Sequence, residues 1–365
     1  MFNAKVAPNE FARGVGAIER IGDYVARYGS RALVIGGRRA LGAALAKMQA
    51  SFEVAKVSFD VEEFSGYCSQ NMIKRYADKV EAGRYDLVVG VGGGRALDCV
   101  KAVGDVTWRP VITVPTIAAT CAAWSSVSVS YSDEGIFEGS ISLRRSPVVA
   151  IVDSRILCDA PVRYLAAGIG DALAKWYEVP LNVKITGEDS ASIRSALALT
   201  DLCNRMFREL GRQALEDAGR GEVTETLERI IDAVIMLTGL ISGLAGDACR
   251  LAVGHSIYNC MSHFKASSAS LHGEKVAFGL AVQQVLEGRS LTEVNDYLIF
   301  LKKELGLPVT LGQLGLCGIS EAEISHLAEL VAQDPAVKSA PFDGNVANIR
   351  KAILTVDDMG KKLLD

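Results

Sequence analysis

The sequence predicts an α/β N-terminal domain built on a parallel sheet, followed by an all-helical C-terminal domain. Three observations lead to this fold class. Roughly the first 150 residues alternate short apolar β-type runs with helical patterns. Three glycines, Gly92–Gly94, directly follow one of the apolar runs. After residue 158, β-branched runs nearly vanish and long patterns rich in Ala, Leu, Glu and Arg dominate. We therefore place the domain boundary between 1–157 and 158–365, and expect a cleft where two domains meet.

The elements of the first domain follow one another as β-α-β units, which is typical of a parallel sheet with helices on both faces. The predicted strands are RALVIGG (31–37), FEVAKVSFD (52–60), YDLVVGVGGG (85–94) and RPVITVPT (109–116). The predicted helices between them are RALGAALAKMQASF, SQNMIKRYADKVEAG and RALDCVKAVGD. SSVSVSYSDEGIFEGSISL then predicts a hairpin that turns around Asp133–Gly135, and SPVVAIVDS predicts a further strand.

Composition excludes several classes of protein. The 365 residues suit two domains, and a net charge of −4 without any Lys/Arg block argues against a nucleic-acid partner. None of the eight cysteines forms a CxxC pair, which favours reduced thiols in a cytoplasmic protein. The N-terminus lacks the apolar stretch of a signal peptide, and no apolar run is long enough to cross a membrane. We expect a cytoplasmic protein without a membrane partner.

The glycine turn predicts a nucleotide-binding, Rossmann-like first domain. Glycines between a buried strand and a helix let a phosphate approach backbone N–H groups at the positive end of the helix. The ordinary G-x-G-x-x-G pattern is incomplete, because Arg95 stands where the last glycine belongs. Arg95 is able to add a charge-assisted contact to a pyrophosphate. Asp98 has either a role near the nucleotide or that of a first-turn acid stabilised by the helix dipole. The alternative for the glycines is a tight turn alone.

Three of the chain's four histidines fall between Gly254 and Lys275. His255 and His272, together with Asp171 from AAGIGDALAKWYE, form an N/O donor set suited to Zn²⁺ or Fe²⁺ with a position left open for substrate. The alternative for Asp171 is an i,i+4 ion pair with Lys175. His263 falls in a polar loop and is predicted to face solvent.

The alternative for His255 is a hydrogen-bonded core residue, because it recurs on an apolar helix face. The members of that face are Leu244, Ala248, Leu251, His255 and Tyr258. His326 is predicted to lie on the surface of a helix.

A set of motifs resembles the iron-containing alcohol dehydrogenase superfamily and, within it, the glycerol dehydrogenase branch. They occur in the family's order from about residue 14 to 285: GVGAIERIG, VIGG, VVGVGGGRALD, VPTIAAT, SSVSVSYSDEG, AGIGDALAKWYE, GHSIYN and LHGEKVAFG. GIGDALAKWYE and HGEKVAFG are the specific signals. The resemblance implies the dehydroquinate synthase-like fold, in which the metal lies in the cleft between the two domains.

Residue by residue, the resemblance implies a metal site and a cofactor site. Asp171, His255 and His272 match the metal ligands, and Lys175 stands where other branches have a fourth, histidine ligand. The second His of the family's usual HAIHN is Tyr258 here. The positions that match the pyrophosphate loop are Gly93, Gly94 and Arg95, and those that match the nicotinamide half of the cofactor are Thr116, Ser125, Val127 and Tyr131.

The implied activity is a metal-dependent, NAD(P)-linked interconversion of a small secondary alcohol and its carbonyl, with Zn or Fe as the metal. A bound divalent ion would act as a Lewis acid on the substrate oxygen, and the nicotinamide would carry the hydride. A dehydroquinate synthase-like lyase is a weaker alternative, because its anionic substrate requires more Lys and Arg than these motifs contain. A non-catalytic binding protein is weaker still.

The pair of residues that directly follows the strand RALVIGG bears on the choice of cofactor. NAD-preferring relatives often place an acid near Gly37, where it binds the ribose 2′-hydroxyl. Here Arg38 and Arg39 follow, and arginines pair with a 2′-phosphate. We expect NADP(H) to be favoured; the alternative is that both arginines only cover a helix start.

Cys121 in TCAAW bears on the substrate. Glycerol dehydrogenases have an Asp there that contacts a substrate hydroxyl, whereas a thiol accepts hydrogen bonds weakly and carries little charge. TCAAW resembles the hydroxycarboxylate dehydrogenase relatives. We expect a 2-hydroxy acid/2-oxo acid pair, with glycerol oxidation to dihydroxyacetone as the alternative, and a homo-oligomeric assembly.

Overall fold

The structure is a computed structural model and describes residues 4–246 and 253–364. Of the apolar face predicted around His255, Ala248 and Leu251 lie outside the described residues. The chain divides into two compact units, Met1–Leu165 with Glu216–Gly243, and Ala166–Leu215 with Leu244–Asp365. A domain boundary at residue 157 stays a prediction, because these units are defined by proximity and not by independent folding.

The first unit contains the predicted parallel sheet. Its six described strands are β1 (Glu10–Gly14), β2 (Arg31–Gly37), β3 (Ser58–Phe64), β4 (Leu87–Gly92), β5 (Val111–Pro115) and β8 (Val149–Asp153). Every pairing is parallel, in the order β1-β8-β5-β4-β2-β3. The strands β6 (Val127–Tyr131) and β7 (Phe137–Ser142) form the separate antiparallel hairpin that the sequence predicts.

Apolar layers cover both faces of the sheet, which confirms the predicted α/β architecture. On β2, Val34 faces a layer that contains Met48 and Phe52, while Leu33 and Ile35 face the opposite layer. Alternate residues of a strand point to opposite faces, so a strand buried on both faces requires a continuous apolar run. This is why RALVIGG carries no polar residue between Ala32 and Ile35.

The helices, in chain order, are α1 (Ile21–Val25), α2 (Arg38–Ala55), α3 (Gln70–Gly83), α4 (Gly94–Val106), α5 (Ser154–Cys158), α6 (Val162–Ala172), α7 (Ala174–Thr186), α8 (Ala191–Gly219), α9 (Glu225–Asp232), α10 (Thr238–Ala245), α11 (Val253–Met261), α12 (His272–Leu286), α13 (Leu291–Ile299), α14 (Glu321–Gln333), α15 (Pro335–Ser339) and α16 (Val346–Lys362). Short 3-10 turns span Ala17–Arg20 and Lys265–Ala269. Three π-helical turns span Ala233–Leu237, Phe300–Glu304 and Gly312–Leu316. The second unit has no strand among its described residues, as the sequence predicts.

One strand lies later in the chain than predicted. The sequence predicts a strand over 52–60, but α2 continues to Ala55 and β3 begins at Ser58. The reason is that Phe52 continues the buried face of α2, four residues after Met48. The sequence does not predict β1, because EFARG is short and alternates apolar with polar residues.

No helix in the described part of the chain combines the length and the apolar character that crossing a membrane requires. The seven cysteines among the described residues are all free.

Candidate functional site

The carboxyl ends of three neighbouring strands, β2, β4 and β5, bring three predicted cofactor residues to one edge of the sheet. Gly37 ends β2, Gly92 ends β4, and Thr116 directly follows β5. The Thr116 N–H donates to the Gly92 carbonyl at 3.1 Å, so the two turns are joined. Ligands of open parallel sheets bind at this edge.

The turn after β4 favours glycine at two positions. Gly92 has φ +152°, a conformation that side chains rarely adopt. A Cβ on Gly93 would lie 2.6 Å from the Ile117 side chain, so Ile117 lies directly against the glycine backbone. Gly93 is the N-cap of α4, whose first N–H groups have no partner within the helix. The turn therefore has the backbone geometry to receive a phosphate.

Arg95 is exposed at the start of α4, and its guanidinium lies 5.1 Å from the centre of the Tyr67 ring. Tyr67 in turn packs against Tyr131, with ring centres 5.8 Å apart. The structure thus joins two predicted cofactor residues through Tyr67, which the sequence analysis did not identify. No local pattern in FSGYCSQ indicates this contact.

Asp98 is 7% exposed, and its carboxylate forms an ion pair with Lys101 at 2.9 Å. Ser125 and Val127 lie around the same lysine, through hydrogen bonds described below. Arg38 and Arg39 are exposed at the first turn of α2, next to Gly37.

Cys121 is half-buried, and its carbonyl accepts from the Trp124 and Ser125 N–H groups at 2.9 and 3.1 Å. A tight turn therefore holds the TCAAW segment. Trp124 is buried, and its indole N–H donates to the Val6 carbonyl at 2.9 Å.

The second unit brings Asp171, His255 and His272 together. Asp171 Oδ1 lies 3.0 Å from His272 Nε2 and 3.3 Å from His255 Nε2. One donor atom of each residue lies within 4.8 Å of the others. Donors of a tetrahedral Zn site with bonds of about 2.1 Å are about 3.4 Å apart, so this spacing fits a small divalent ion. His263 and His326 are exposed, as predicted.

Glycines at two helix crossings produce this convergence. A Cβ on Gly273 would lie 1.8 Å from the Ala167 carbonyl oxygen, so α12 begins in direct contact with the backbone of α6. A Cβ on Gly279 would lie 2.4 Å from the Gly254 carbonyl, where α11 crosses α12. Gly273 and Gly279 thus let the backbones that carry the three donors approach closely.

Glu178, which the sequence analysis did not identify, holds His255 in place. It is 1% exposed; Oε2 lies 2.8 Å from His255 Nδ1, and Oε1 accepts from the His255 backbone N–H at 3.1 Å. A carboxylate only accepts, so Nδ1 carries a proton toward Glu178, and Nε2, which faces Asp171, is the ring nitrogen that would bind a metal ion. It follows Asp171 by seven residues and is the last residue of the motif GIGDALAKWYE, which is the sequence signal for it.

The ring of Tyr258 orients the other histidine. Its centre lies 4.2 Å from that of the His272 ring, edge to face. Lys275, one turn after His272, is 5% exposed and places its ammonium 5.7 Å from the Tyr258 ring centre. Burial lowers the pKa of Lys275 to about 8, against the opposing effect of Glu274. Tyr258, which stands where the resembled motif HAIHN has its second histidine, thus packs its ring against His272.

Nearby charged groups shift the pKa values of Asp171 and His255. Burial acts to raise the pKa of Asp171, but the adjacent His272 and His255 hold it far below its usual range. Burial acts to lower the pKa of His255, but the carboxylates of Glu178 and Asp171 outweigh it and raise the pKa to about 9. Opposed pKa values at converging side chains are typical of functional sites.

Comparison with known proteins identifies the family of the chain. Residues 8–154 match the family model described as iron-containing alcohol dehydrogenase. A glycerol dehydrogenase of Escherichia coli is 35% identical over 362 residues, 98% of this chain and 97% of that protein. The chain belongs to the iron-containing alcohol dehydrogenase family. It falls in the glycerol dehydrogenase-like branch, which confirms the resemblance stated above.

Two further comparisons support the assignment. Hydroxycarboxylate dehydrogenase A of Escherichia coli is 33% identical over 82% of this chain and 80% of that protein. The crystal structure of a probable glycerol dehydrogenase from Sinorhizobium meliloti superposes with a TM-score of 0.89, at 30% identity, over 99% of each chain. The chain is therefore an alcohol dehydrogenase of this family, and its fold is that of the family.

Proposed function

We propose that the chain uses one divalent metal ion and NAD(P) to interconvert a small secondary alcohol and its carbonyl. The convergence of Asp171, His255 and His272 carries the proposal. Their donors are buried or half-buried, correctly spaced, and of the N/O type that suits Zn²⁺ or Fe²⁺. When bound, the ion supplies Lewis-acid polarisation of the substrate oxygen.

The protein residues prepare the donors before any substrate arrives. Glu178 holds the proton on His255 Nδ1, which leaves Nε2 able to bind, and Tyr258 limits rotation of the His272 ring. Asp171 supplies the one anionic donor. Supporting contacts of this kind commonly decide affinity for a metal.

The edge of the sheet supports the cofactor part of the proposal. Gly92, Gly93 and Gly94 would receive the pyrophosphate at the start of α4, with Arg95 beside it. Thr116, Ser125, Val127 and Tyr131 would line the nicotinamide half. The nicotinamide would carry the hydride, and the protein supplies placement and charge.

We propose that NADP(H) is accepted and favoured. Arg38 and Arg39 are exposed next to Gly37. A Cβ added to Gly37 would have no other atom within 4 Å, so the space beside it is open. A 2′-phosphate at this place would meet two cations and no carboxylate from Gly37.

The names of the relatives favour glycerol, oxidised to dihydroxyacetone, as the substrate, since a 35% identical relative is a glycerol dehydrogenase. Cys121 favours a second candidate, the 2-hydroxy acid/2-oxo acid pair expected from the sequence. The TCAAW segment that contains Cys121 is apolar, with Ala122, Ala123 and Trp124 buried beside it. An apolar wall lacks the carboxylate that repels an anionic substrate.

Turnover of the purified, metal-loaded protein tests the proposal. We expect metal-dependent oxidation of glycerol with NADP⁺ or NAD⁺, or reduction of small 2-oxo acids with NADPH or NADH. Neither activity with any of these cofactors, despite one bound ion per chain, would contradict the proposed function. Efficient glycerol oxidation without 2-oxo acid reduction would contradict only the second candidate.

We also propose a homo-oligomer. Large apolar side chains are exposed on the surface, among them Val54 at 85% and Trp108 at 65%. Light scattering at micromolar concentration should give a multiple of the 38.9 kDa chain mass. A monomer mass would contradict this part of the proposal alone.

A further inference from the structure

Lys101 is a buried cation on α4 whose partners lie mostly outside its own helix. Its side chain is 1% exposed, and apart from Asp98 and Lys101 the buried residues of α4 are apolar. Removing an ammonium from water costs several kcal/mol, so a buried lysine requires well-placed partners. Their identity indicates what the residue is for.

Three of these partners lie on one segment, 125–127. The Lys101 ammonium donates to the Ser125 carbonyl at 3.1 Å, to Ser125 Oγ at 3.2 Å, and to the Val127 carbonyl at 2.5 Å. Its fourth contact is the ion pair with Asp98. The ammonium therefore fixes the backbone at the start of the hairpin β6–β7.

Asp98 extends the same contact by two residues. Its carboxylate Oδ2 accepts from the Val129 N–H at 3.3 Å, and its carbonyl accepts from Ser128 Oγ at 2.8 Å. Ser128 is fully buried, so this bond is shielded from water. Together, Asp98 and Lys101 hold the backbone from Ser125 to Val129 against α4.

Stability alone does not explain such a pair. Replacing a buried ion pair by apolar residues of similar volume is often neutral or stabilising, so a buried pair is weak evidence for stability. What it does provide is a fixed geometry, because several charge-assisted hydrogen bonds converge on one segment.

We propose that Asp98 and Lys101 are a positioning pair that fixes the 125–129 segment for the nicotinamide half of the dinucleotide. This inference rests on the proposed function, in which Ser125 and Val127 line that half. α4 begins at the glycine turn, and Lys101 follows Gly94 by two helical turns, roughly 10 Å along the axis. One rigid helix thus sets the spacing between the pyrophosphate and nicotinamide subsites, and Asp98 acts through the segment instead of touching the cofactor.

Cofactor fragments test this role in the full-length, metal-loaded protein. ADP-ribose contains the pyrophosphate but lacks nicotinamide. If the protein prefers NADPH, ADP-ribose 2′-phosphate is the corresponding probe. We expect Lys101→Met to weaken NAD(P)H binding about tenfold or more, while ADP-ribose binding changes less than about twofold. Lys79→Met is the control, because it removes a lysine on α3 that pairs with Glu62 and does not contact the 125–129 segment.

Two more variants keep the test informative if Lys101→Met fails to fold. The double variant Asp98→Asn/Lys101→Met removes both charges and should fold, yet should show the same selective loss. Ser128→Ala removes only the bond to the Asp98 carbonyl and should give a smaller loss of the same kind.

The outcomes separate this inference from the proposed function. An unmodified protein that binds neither NADH nor NADPH contradicts the proposed function, and the inference with it. Normal binding by the unmodified protein, with equal losses for NAD(P)H and ADP-ribose in the folded variants, overturns the positioning role alone. Unchanged NAD(P)H binding in those variants overturns it as well.

Discussion

The Glu178 carboxylate accepts two hydrogen bonds from His255, one from the ring Nδ1 at 2.8 Å and one from the backbone N–H at 3.1 Å. A side chain held at both its ring and its backbone has little freedom to rotate or to change tautomer. The orientation of one metal-binding candidate is thus set by an acid that itself lies outside the donor set.

Glu178→Gln should weaken metal binding. An amide group facing Nδ1 no longer secures the proton there, and we expect the affinity for Zn²⁺ to fall about 10- to 100-fold. Competition with a chromophoric chelator at fixed pH measures this. Glu287→Gln is the matched control, because Glu287 accepts from Gln283 and does not contact His255. Equal affinities in Glu178→Gln and the unmodified protein would contradict the role of Glu178.

His272→Ala should abolish both stoichiometric metal binding and turnover, since it removes one of three donors. His263→Ala removes an exposed histidine from the neighbouring loop and should leave both unchanged. Elemental analysis of the dialysed proteins gives the metal content. One ion per chain in the His272→Ala protein would rule out the donor set.

Arg38→Glu should lower kcat/KM for NADPH by about tenfold or more and leave NADH nearly unchanged, because the carboxylate would repel a 2′-phosphate. Lys47→Glu makes the same change of charge on the same helix, α2, and controls for net charge. If both variants affect the two cofactors alike, Arg38 does not contact the phosphate.

Cys121→Asp should shift the substrate preference toward glycerol. A carboxylate accepts hydrogen bonds from a polyol and repels a 2-oxo acid, so we expect the ratio of the two kcat/KM values to change by about tenfold or more. Cys121→Ser, which adds a hydroxyl without charge, is the control. A ratio that does not move in the Asp variant would show that position 121 lies away from the substrate.

Stability should depend on pH through Asp232. Burial raises its pKa to about 6, with Arg13 opposing and Glu228 adding to the shift, and its Oδ1 lies 2.9 Å from Arg13 Nε. The folded protein thus holds this proton more tightly than the unfolded chain does. The resulting stabilisation is complete below about pH 4 and is lost as pH rises through 6.

Asp232→Asn should remove that part of the pH dependence. At pH 7.5 we expect the variant to be more stable by about 1 kcal/mol, a figure reduced for the partial exposure of the pair with Arg13. Urea unfolding between pH 4 and 8 measures it. A constant difference in the free energy of unfolding over that range would contradict the assignment.

Local patterns in the sequence predict most of the fold. β2, β4 and β5 are continuous apolar runs because both of their faces are buried, and a run of this kind is visible without tertiary information. β1 and the start of β3 are different. Phe52 fits a strand and a helix equally well by pattern, and only its packing beside Met48 in one apolar layer decides for the helix.

The candidate site divides in the same way. His255 and His272 are two of only four histidines, and with Asp171 they lie in specific motifs, so the sequence identifies them. Glu178 and Lys101 look like ordinary charged helix residues, and only burial among distant segments reveals their partners. Tyr67 is likewise recognised as part of the candidate site only through its contact with Arg95, which is 28 positions away in the chain.

The contact between Gly273 and the Ala167 carbonyl has a consequence for how such a site changes in evolution. A single added methyl group there has no space, so it would separate α6 from α12 and move His272 away from Asp171 without altering either donor. The distance between the α6 and α12 backbones therefore sets the spacing of the donors, and with it the radius of the ion that fits. A lineage that acquires a different metal has a route through its glycines that leaves every ligand in place.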